Sequence, residues 1–222
     1  MSTYNGASED KNKNFVLFEK HQLSDALVGD VNALSQACDA VAAHDLLATY
    51  QSDEFTGSNG NISQRHPDGG FLITGTQLPS KEGLGSADFV HIADYVKTTA
   101  GYIANYHGTR LPSSESLMHW HLFESFPEVN AVVHVHEFND RLYGNRELWA
   151  EFKVVETARP GVPGTIDLGE VASEAFVDIR RYVILKDHVP PWDQHRTGAV
   201  VLGRTLAEAV GRALFIHEVL QP

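Results

Sequence analysis

Residues 130–138 read NAVVHVHEF, an apolar segment that carries two histidines at alternate positions. Side chains of a β-strand alternate between faces, so His134 and His136 lie on one face, about 7 Å apart along the strand. Both imidazoles can then reach one ion. The alternative is a hydrogen-bonded pair without an ion, which costs stability unless both buried rings find partners. The spacing therefore favours a divalent metal site.

A carboxylate precedes this strand on a predicted helix. Glu115 shares an apolar stripe with Met118, Leu122 and Phe126. On the buried face of a helix its pKa should be raised unless a cation is near, as expected of a general acid/base or a metal-adjacent carboxylate. The alternative is a solvated carboxylate that favours the helix start through the helix dipole.

Two hydroxyls stand directly before Glu115. Ser113 and Ser114 could be helix N-caps and nothing more. Two hydroxyls beside the free backbone N–H groups of a helix N-terminus also make a good phosphate site. Both interpretations stay open on the residues alone.

The elements that must position these side chains are helices mixed with short strands. Helical spacing predicts helices at roughly 24–44, from about 113 to 126, from Asp167 to about 179, and after Thr205, where Glu208 completes a capping box. Strands are predicted at 62–65, 71–74, 130–138, 182–186 and 199–202. This mixture predicts one α/β domain of layered sheet and helices over residues 15–222, after a disordered polar tail at 1–14.

The bulk composition restricts the partners. The net charge is −12, which argues against nucleic acid or an anionic membrane as the main partner. Hydrophobic residues are 42% and charged residues 21%, ordinary for a globular chain. A single cysteine, Cys38, excludes an internal disulfide and fits a reducing compartment. With no apolar stretch of membrane-spanning length and no apolar signal region, we expect a cytoplasmic protein.

Several motifs occur in a fixed order along the chain, and together they resemble the class II aldolase/adducin family over roughly residues 24–220. The motifs are Asn61-Ile-Ser63, Ile73-Thr-Gly-Thr76, Pro112-Ser-Ser-Glu115 with His119, Asn130-Ala-Val-Val-His134-Val-His136, Gly164-Thr, Val183-Ile-Leu-Lys-Asp-His188 and Thr205-Leu-Ala-Glu-Ala209.

The resemblance implies a three-layer αβα fold, with a central, largely antiparallel sheet flanked by helices. It implies Zn²⁺ or another divalent transition metal on His134, His136 and His188, with Glu115 as the catalytic acid/base. It assigns the phosphate of a sugar-phosphate substrate to Asn61, Thr76, Ser113 and Ser114. It also implies a homotetramer with active sites between subunits.

Several positions depart from the family pattern. Val189 replaces the usual glycine after the third histidine, and an apparent insertion follows at 190–196. His195 in this insertion is a rival third ligand, although the register of the preceding strand favours His188. The phosphate-loop Thr-Gly of the family reads Thr76-Gln77 here.

The leading functional hypothesis is a metal-dependent aldolase that cleaves a phosphorylated ketose by retro-aldol chemistry through a metal-stabilised enediolate. Dehydration and epimerisation on the same scaffold are the nearest alternatives, and Glu115 argues against the epimerases, which carry Asp there. A non-catalytic, adducin-like interaction module is a different class of answer, disfavoured by the retained histidines and Glu115. A cupin-type oxygenase could share the His-X-His pattern but requires a run of strands instead of capped helices.

Overall fold

The computed structural model describes residues 18–51, 56–190 and 192–220. The predicted tail at 1–14 lies outside these ranges. None of the helices within them has the length and apolar character needed to cross a membrane.

A large mixed sheet forms the centre of the described fold. Nine of the described strands lie in the order β1-β7-β6-β5-β4-β8-β11-β10-β9, and β2 pairs with β3 separately. Only β1–β7 and β9–β10 are parallel among the described pairs, so the sheet is largely antiparallel. The strands are β1 Phe18–Ser24, β2 Thr49–Gln51, β3 Thr56–Ser58, β4 Asn61–Arg65, β5 Phe71–Thr74, β6 Phe89–Thr98, β7 Gly101–His107, β8 Ala131–Phe138, β9 Val154–Glu156, β10 Tyr182–Ile184 and β11 Arg196–Gly203.

Helices cover both faces of this sheet, so the predicted three-layer arrangement is confirmed. One core joins sheet residues such as Val133 to Leu34 of α1 and Ala213 of α6. The other joins Val132 to Leu122 of α2 and Val171 of α5. The helices are α1 Asn32–Ala42, α2 Ser116–Ser125, α3 Asn139–Gly144, α4 Trp149–Phe152, α5 Ile166–Ala175 and α6 Leu206–Val219, with 3₁₀ turns at Ser86–Asp88 and Arg146–Leu148.

Strand β8 is the central support of the molecule. Its first seven residues are buried, and its valines alternate between the two cores. Burying an aliphatic side chain of this size stabilises the fold by about 1.5–3 kcal/mol. A strand held in this way from both faces gives the histidines on it a rigid base.

Three sequence predictions need correction. The first helix starts at Asn32 instead of 24, because the chain before it forms β1, which pairs with distant β7. Strands β6 and β7 were not anticipated at all. Helix α5 is capped by Thr165, whose hydroxyl accepts the N–H of Asp167 at 3.2 Å, and not by Asp167 itself, and it ends at Ala175.

Helix α6 begins as predicted. The Thr205 hydroxyl accepts the backbone N–H of Glu208 at 3.1 Å. The carboxylate of Glu208 accepts the N–H of Arg204 at 2.8 Å, one residue before the cap. Both bonds satisfy backbone donors that have no helical partner at this end.

Candidate metal centre and active site

The two strand histidines lie on one buried face of β8, as the alternation predicted. Strand β4 pairs with one side of β8, with Asn61 opposite His134. Strand β11 pairs with the other side, with Gly198 opposite His136. Both imidazoles are almost completely shielded from solvent.

His188 joins this pair from the loop that follows β10. Its backbone is fixed against β11, since its carbonyl oxygen accepts the N–H of Gly198 at 2.8 Å. A Cβ at Gly198 would overlap Cδ2 of the His188 ring, so the ring can lie there only because residue 198 is glycine. His195, the rival candidate, is exposed, and its backbone N–H bonds to Asp193 at 3.1 Å.

The three histidines form a compact group of nitrogen donors. Their ligand atoms all lie within 4.8 Å of one another. The Nε2 atoms of His134 and His136 are 3.2 Å apart. Nitrogens that each bind one zinc ion at about 2.0–2.1 Å in tetrahedral geometry are separated by roughly 3.3 Å. The donor set therefore fits a divalent transition metal.

Hydrogen bonding orients the central ring. Nδ1 of His134 lies 2.9 Å from the Ala199 carbonyl oxygen, which can only accept, so Nδ1 carries the proton when the ring is neutral. The lone pair of Nε2 then faces the other two histidines, the usual orientation of a ligating imidazole. Burial, followed by the neighbouring His134 and His188, holds the pKa of His136 well below its ordinary value.

Glu115 lies directly against this group. One carboxylate oxygen is 3.0 Å from Nε2 of His134, and the other is 2.8 Å from Nε2 of His188. Burial would raise the pKa of Glu115, yet the two imidazoles hold it well below its usual range. The raised pKa expected for an isolated buried carboxylate is thus absent, because partners are near.

The backbone places Glu115 just before α2 instead of inside it. The helix was predicted from about 113, but its first helical residue is Ser116 and Glu115 occupies the N-cap position. Its side chain is 12% exposed and turned towards the histidines, so it is not the solvated helix-start carboxylate of the alternative interpretation.

The four predicted phosphate residues come from three segments that meet beside Glu115. The Asn61 amide donates to Glu115 at 2.9 Å and to the Ser113 hydroxyl at 3.1 Å. Thr76 is tied to the third segment through its N–H, which donates to Leu111 at 2.9 Å. Ser114 is half-buried next to Ser113. Asn61 thus contacts the carboxylate itself, a link that the sequence did not indicate.

A glycine makes the close approach of these segments possible. Gly60 has φ +71°, and a Cβ there would overlap the carbonyl oxygen of His134. The left-handed region and the missing Cβ together favour glycine at this position. Asn61 is thereby set against His134 and Glu115.

His119 supports the site from α2. Its Nδ1 shares a 2.6 Å hydrogen bond with the Ser63 hydroxyl on β4. Burial, followed by the electrostatic influence of the neighbouring His134, lowers the pKa of His119 to about 3, so this ring is neutral. It links α2 to the sheet behind Glu115.

Two residues near the site were missed in the sequence. A glycine inside the strand RTGAVVLG is a known signal of close backbone approach, and it could have drawn attention to Gly198. Lys81 is buried close to the site, but it stands in the polar run Pro-Ser-Lys-Glu-Gly, which predicts an exposed loop.

A largely antiparallel sheet between helix layers, with three buried histidines and an adjacent glutamate, defines the class of protein. The model of the class II aldolase and adducin N-terminal domain matches residues 38–221. The chain belongs to the class II aldolase/adducin family, as its motifs indicated.

Two relatives are similar over part of the chain. A methylthioribulose-1-phosphate dehydratase of Gluconacetobacter diazotrophicus is 42% identical over 77 residues, 35% of this chain and 34% of that protein. A 5-methylthioribulose-1-phosphate/5-deoxyribulose-1-phosphate aldolase of Escherichia coli is 35% identical over 83 residues, 37% of this chain and 34% of the relative. The chain thus aligns with about one third of the length of these relatives.

Solved structures share the fold over most of the chain. L-fuculose-1-phosphate aldolase from Thermus thermophilus has a TM-score of 0.54 at 21% identity, covering 85% of this chain and 89% of the other. A sugar-phosphate aldolase from Thermotoga maritima has a TM-score of 0.57 at 21% identity, covering 84% and 90%. At this identity the likeness concerns the fold alone.

Proposed function

We propose that the protein is a metal-dependent lyase that cleaves a phosphorylated ketose by retro-aldol chemistry. The observation that carries this proposal is the position of Glu115, whose two carboxylate oxygens contact two of the three clustered histidines. A proton-transferring carboxylate is thereby held beside the candidate metal centre. Family membership supports both the metal and the sugar-phosphate substrate class.

The proposed ligands are His134, His136 and His188. Neutral imidazoles suit zinc and other late first-row divalent ions, and three protein ligands leave room for the substrate. The bound ion would supply Lewis acidity towards the ketose carbonyl and its neighbouring hydroxyl, stabilising the negative charge that develops on them.

Glu115 is proposed to move the proton at C3 of the ketose. In a retro-aldol cleavage the C4 hydroxyl loses its proton, the C3–C4 bond breaks and C3 gains a proton. Asn61 donates to the carboxylate at 2.9 Å and fixes its orientation. General acid–base catalysis by a positioned side chain requires this kind of restraint.

The phosphate is proposed to lie among Asn61, Thr76, Ser113 and Ser114. Ser113 contacts Asn61, and the backbone at Gly75 bridges to Pro112, so the three segments surround one region next to Glu115. Hydroxyl and amide donors at the start of α2 suit a phosphate group, because the N-terminal end of a helix attracts anions.

Dehydration is the second candidate reaction, favoured by the similarity to a methylthioribulose-1-phosphate dehydratase. Here Glu115 would remove the proton from C3 while the hydroxyl leaves C4 as water. The same carboxylate and metal serve both reactions, and they differ in which bond to C4 breaks. Glu115 by itself therefore does not discriminate between them.

One experiment separates the two reactions. Protein loaded with zinc, manganese or cobalt is incubated with 5-deoxyribulose 1-phosphate or 5-methylthioribulose 1-phosphate, and the products are followed by ³¹P and ¹³C NMR. Dihydroxyacetone phosphate and an aldehyde support the aldolase, whereas a phosphorylated diketone supports the dehydratase. If neither ketose is consumed although metal is bound, the proposed substrate class is wrong, and an adducin-like binding module becomes the better account.

We also propose the assembly and location that the resemblance suggested. A homotetramer would complete the active sites between subunits, as the family pattern implies. A cytoplasmic location stays a prediction from the single cysteine.

A further inference from the structure

Lys81 is a buried lysine in the loop that follows β5. It is only 3% exposed. Its ammonium group donates to the Ser58 hydroxyl at 2.8 Å and to the Ser58 carbonyl oxygen at 3.3 Å. Both partners are neutral oxygen atoms. An ammonium group has three N–H donors, so these bonds do not exhaust its capacity.

This charge lacks the partner that buried cations usually have. The buried guanidinium of Arg196 forms ion pairs with Asp45 and Asp193, whereas no carboxylate among the described residues forms an ion pair with Lys81. Burial lowers the pKa of Lys81 to about 8, against the opposing influence of Cys38 and Glu115. A buried, uncompensated charge is costly and is a frequent mark of a functional site.

The position of Lys81 joins it to the region around Glu115. Ser58, its hydrogen-bond partner, stands three residues before Asn61, which donates to Glu115. Thr76 lies in the same loop as Lys81, five residues earlier. The Ser58 hydroxyl in turn donates to Leu78 of that loop at 2.9 Å. Lys81 is therefore a buried cationic residue in the loop that also carries Thr76.

We propose that Lys81 is the cationic part of the anion subsite and binds the phosphate group of the substrate together with the neutral donors around it. The inference rests on the proposed function for the identity of the substrate. A local cation favours anion binding in a chain of net charge −12, because the overall field repels an anionic substrate. The phosphate would supply the direct ionic partner that no carboxylate among the described residues provides for Lys81.

The competing explanation is structural, with Lys81 only fastening its loop to Ser58. The two explanations differ in the effect of phosphate, so the test starts with inorganic phosphate alone. Lys81→Met keeps the length of the side chain and removes its charge. Lys97→Met is the matched control, because Lys97 is exposed on β6 and the net charge changes equally. Lys81→Arg restores a cation.

Calorimetric titration in phosphate-free buffer should show phosphate binding that weakens by about 10- to 100-fold in Lys81→Met, the usual effect of losing a charged hydrogen bond. Lys97→Met should bind like the wild type, and Lys81→Arg should recover part of the affinity. Wild-type protein that does not bind phosphate, or equal binding by Lys81→Met and Lys97→Met, would overturn the proposal. So would a Lys81→Met protein that melts earlier yet keeps the full stabilisation by phosphate.

A measurement on the wild type covers the case in which Lys81→Met does not fold. In protein with ¹⁵N-labelled lysine, the Lys81 Nζ resonance should move on addition of phosphate, and the Lys97 resonance should not. An unchanged Lys81 signal at saturating phosphate contradicts the assignment.

Steady-state kinetics with a ketose 1-phosphate distinguish failure of this proposal from failure of the proposed function. If the wild type turns over a ketose 1-phosphate, Lys81→Met should raise KM for it, whereas Lys97→Met should leave KM unchanged. If no ketose is turned over, the proposed function fails, while the phosphate titration still decides whether Lys81 binds anions.

Discussion

At the scale of single residues, the contact of Glu115 with His134 and His188 has the clearest chemical consequence. Glu115→Gln keeps the shape and removes the titratable group. Turnover should fall by about 10²–10⁴, the typical contribution of general acid–base catalysis, while KM changes much less. Steady-state kinetics on the metal-loaded protein measures this.

Glu124→Gln on the same helix is the control for Glu115→Gln, because Glu124 is exposed and lies outside the histidine group. Both variants should retain metal, since the three histidines remain. Unchanged turnover in Glu115→Gln would show that the carboxylate of Glu115 has only a structural role and would rule out the proposed mechanism.

The histidines predict a metal content that elemental analysis can measure. The wild type should carry about one transition-metal ion per chain, because three neutral imidazoles form a strong site. The double variant His134→Ala/His136→Ala should lose it, and so should His188→Ala. His195→Ala should retain it, since His195 is exposed and outside the group. Loss of metal in His195→Ala alone would show that the third ligand is wrongly assigned.

Lys81 predicts an unusual dependence of stability on pH. The folded-state pKa of about 8 lies below the ordinary 10.5, so the unfolded chain binds more protons between these values. The free energy of unfolding of the wild type should therefore rise relative to Lys81→Met as the pH increases from 8 to 10.5. Denaturant titrations of both proteins in phosphate-free buffer check this, and a pH-independent difference would mean that the pKa of Lys81 is unperturbed.

At the scale of elements, the loop between β10 and β11 delivers the third histidine. The Gly198 N–H holds the His188 carbonyl oxygen, and the missing Cβ admits the ring. Gly198→Ala should push the imidazole out of position and lower metal content and turnover. Crystallography or metal analysis would show the displacement.

Gly211→Ala provides the contrast for Gly198→Ala. Gly211 lies within α6 with open space around the position of a Cβ, so alanine there should stabilise the helix by about 0.5–1 kcal/mol and leave metal binding unchanged. Equal metal content in both glycine variants would show that the close approach at Gly198 is unimportant.

At the scale of the whole molecule, the two faces of the central strand β8 have different roles. Both faces of β8 are buried. Val133 and Val135 pack into one hydrophobic core, whereas Val132 packs into the other core on the face that also carries the two histidines. Helix α2 then brings Glu115 to the same face. The two histidines and Asn61 thus lie on strands, whereas Glu115 occupies the N-cap of α2 and His188 comes from a loop.

Assembly is predicted from the family resemblance alone. Light scattering on the purified protein should give about four times the chain mass of 24.5 kDa. A mass equal to that of one chain would contradict the homotetramer and any active site shared between subunits.

The sequence by itself determined the features that depend on local periodicity. Alternation places His134 and His136 on one face of a strand wherever that strand lies. The apolar stripe predicted that Glu115 faces the interior, although the structure places Glu115 at the N-cap of α2 and not inside the helix. The strand limits at 62–65, 71–74 and 130–138 agree with the structure to within one residue for the same reason. The order of the motifs indicated the family.

Tertiary structure decided what depends on pairing between distant segments. The polar strand β1 forms because it hydrogen-bonds to β7, which lies about 80 residues later in the chain. No local sequence pattern predicts this pairing. The choice of His188 over His195 required the packing of a ring against Gly198. The contact of Asn61 with Glu115 and the burial of Lys81 likewise arise where three separate segments converge, because a side chain's environment is set by neighbours in space and not by neighbours along the chain.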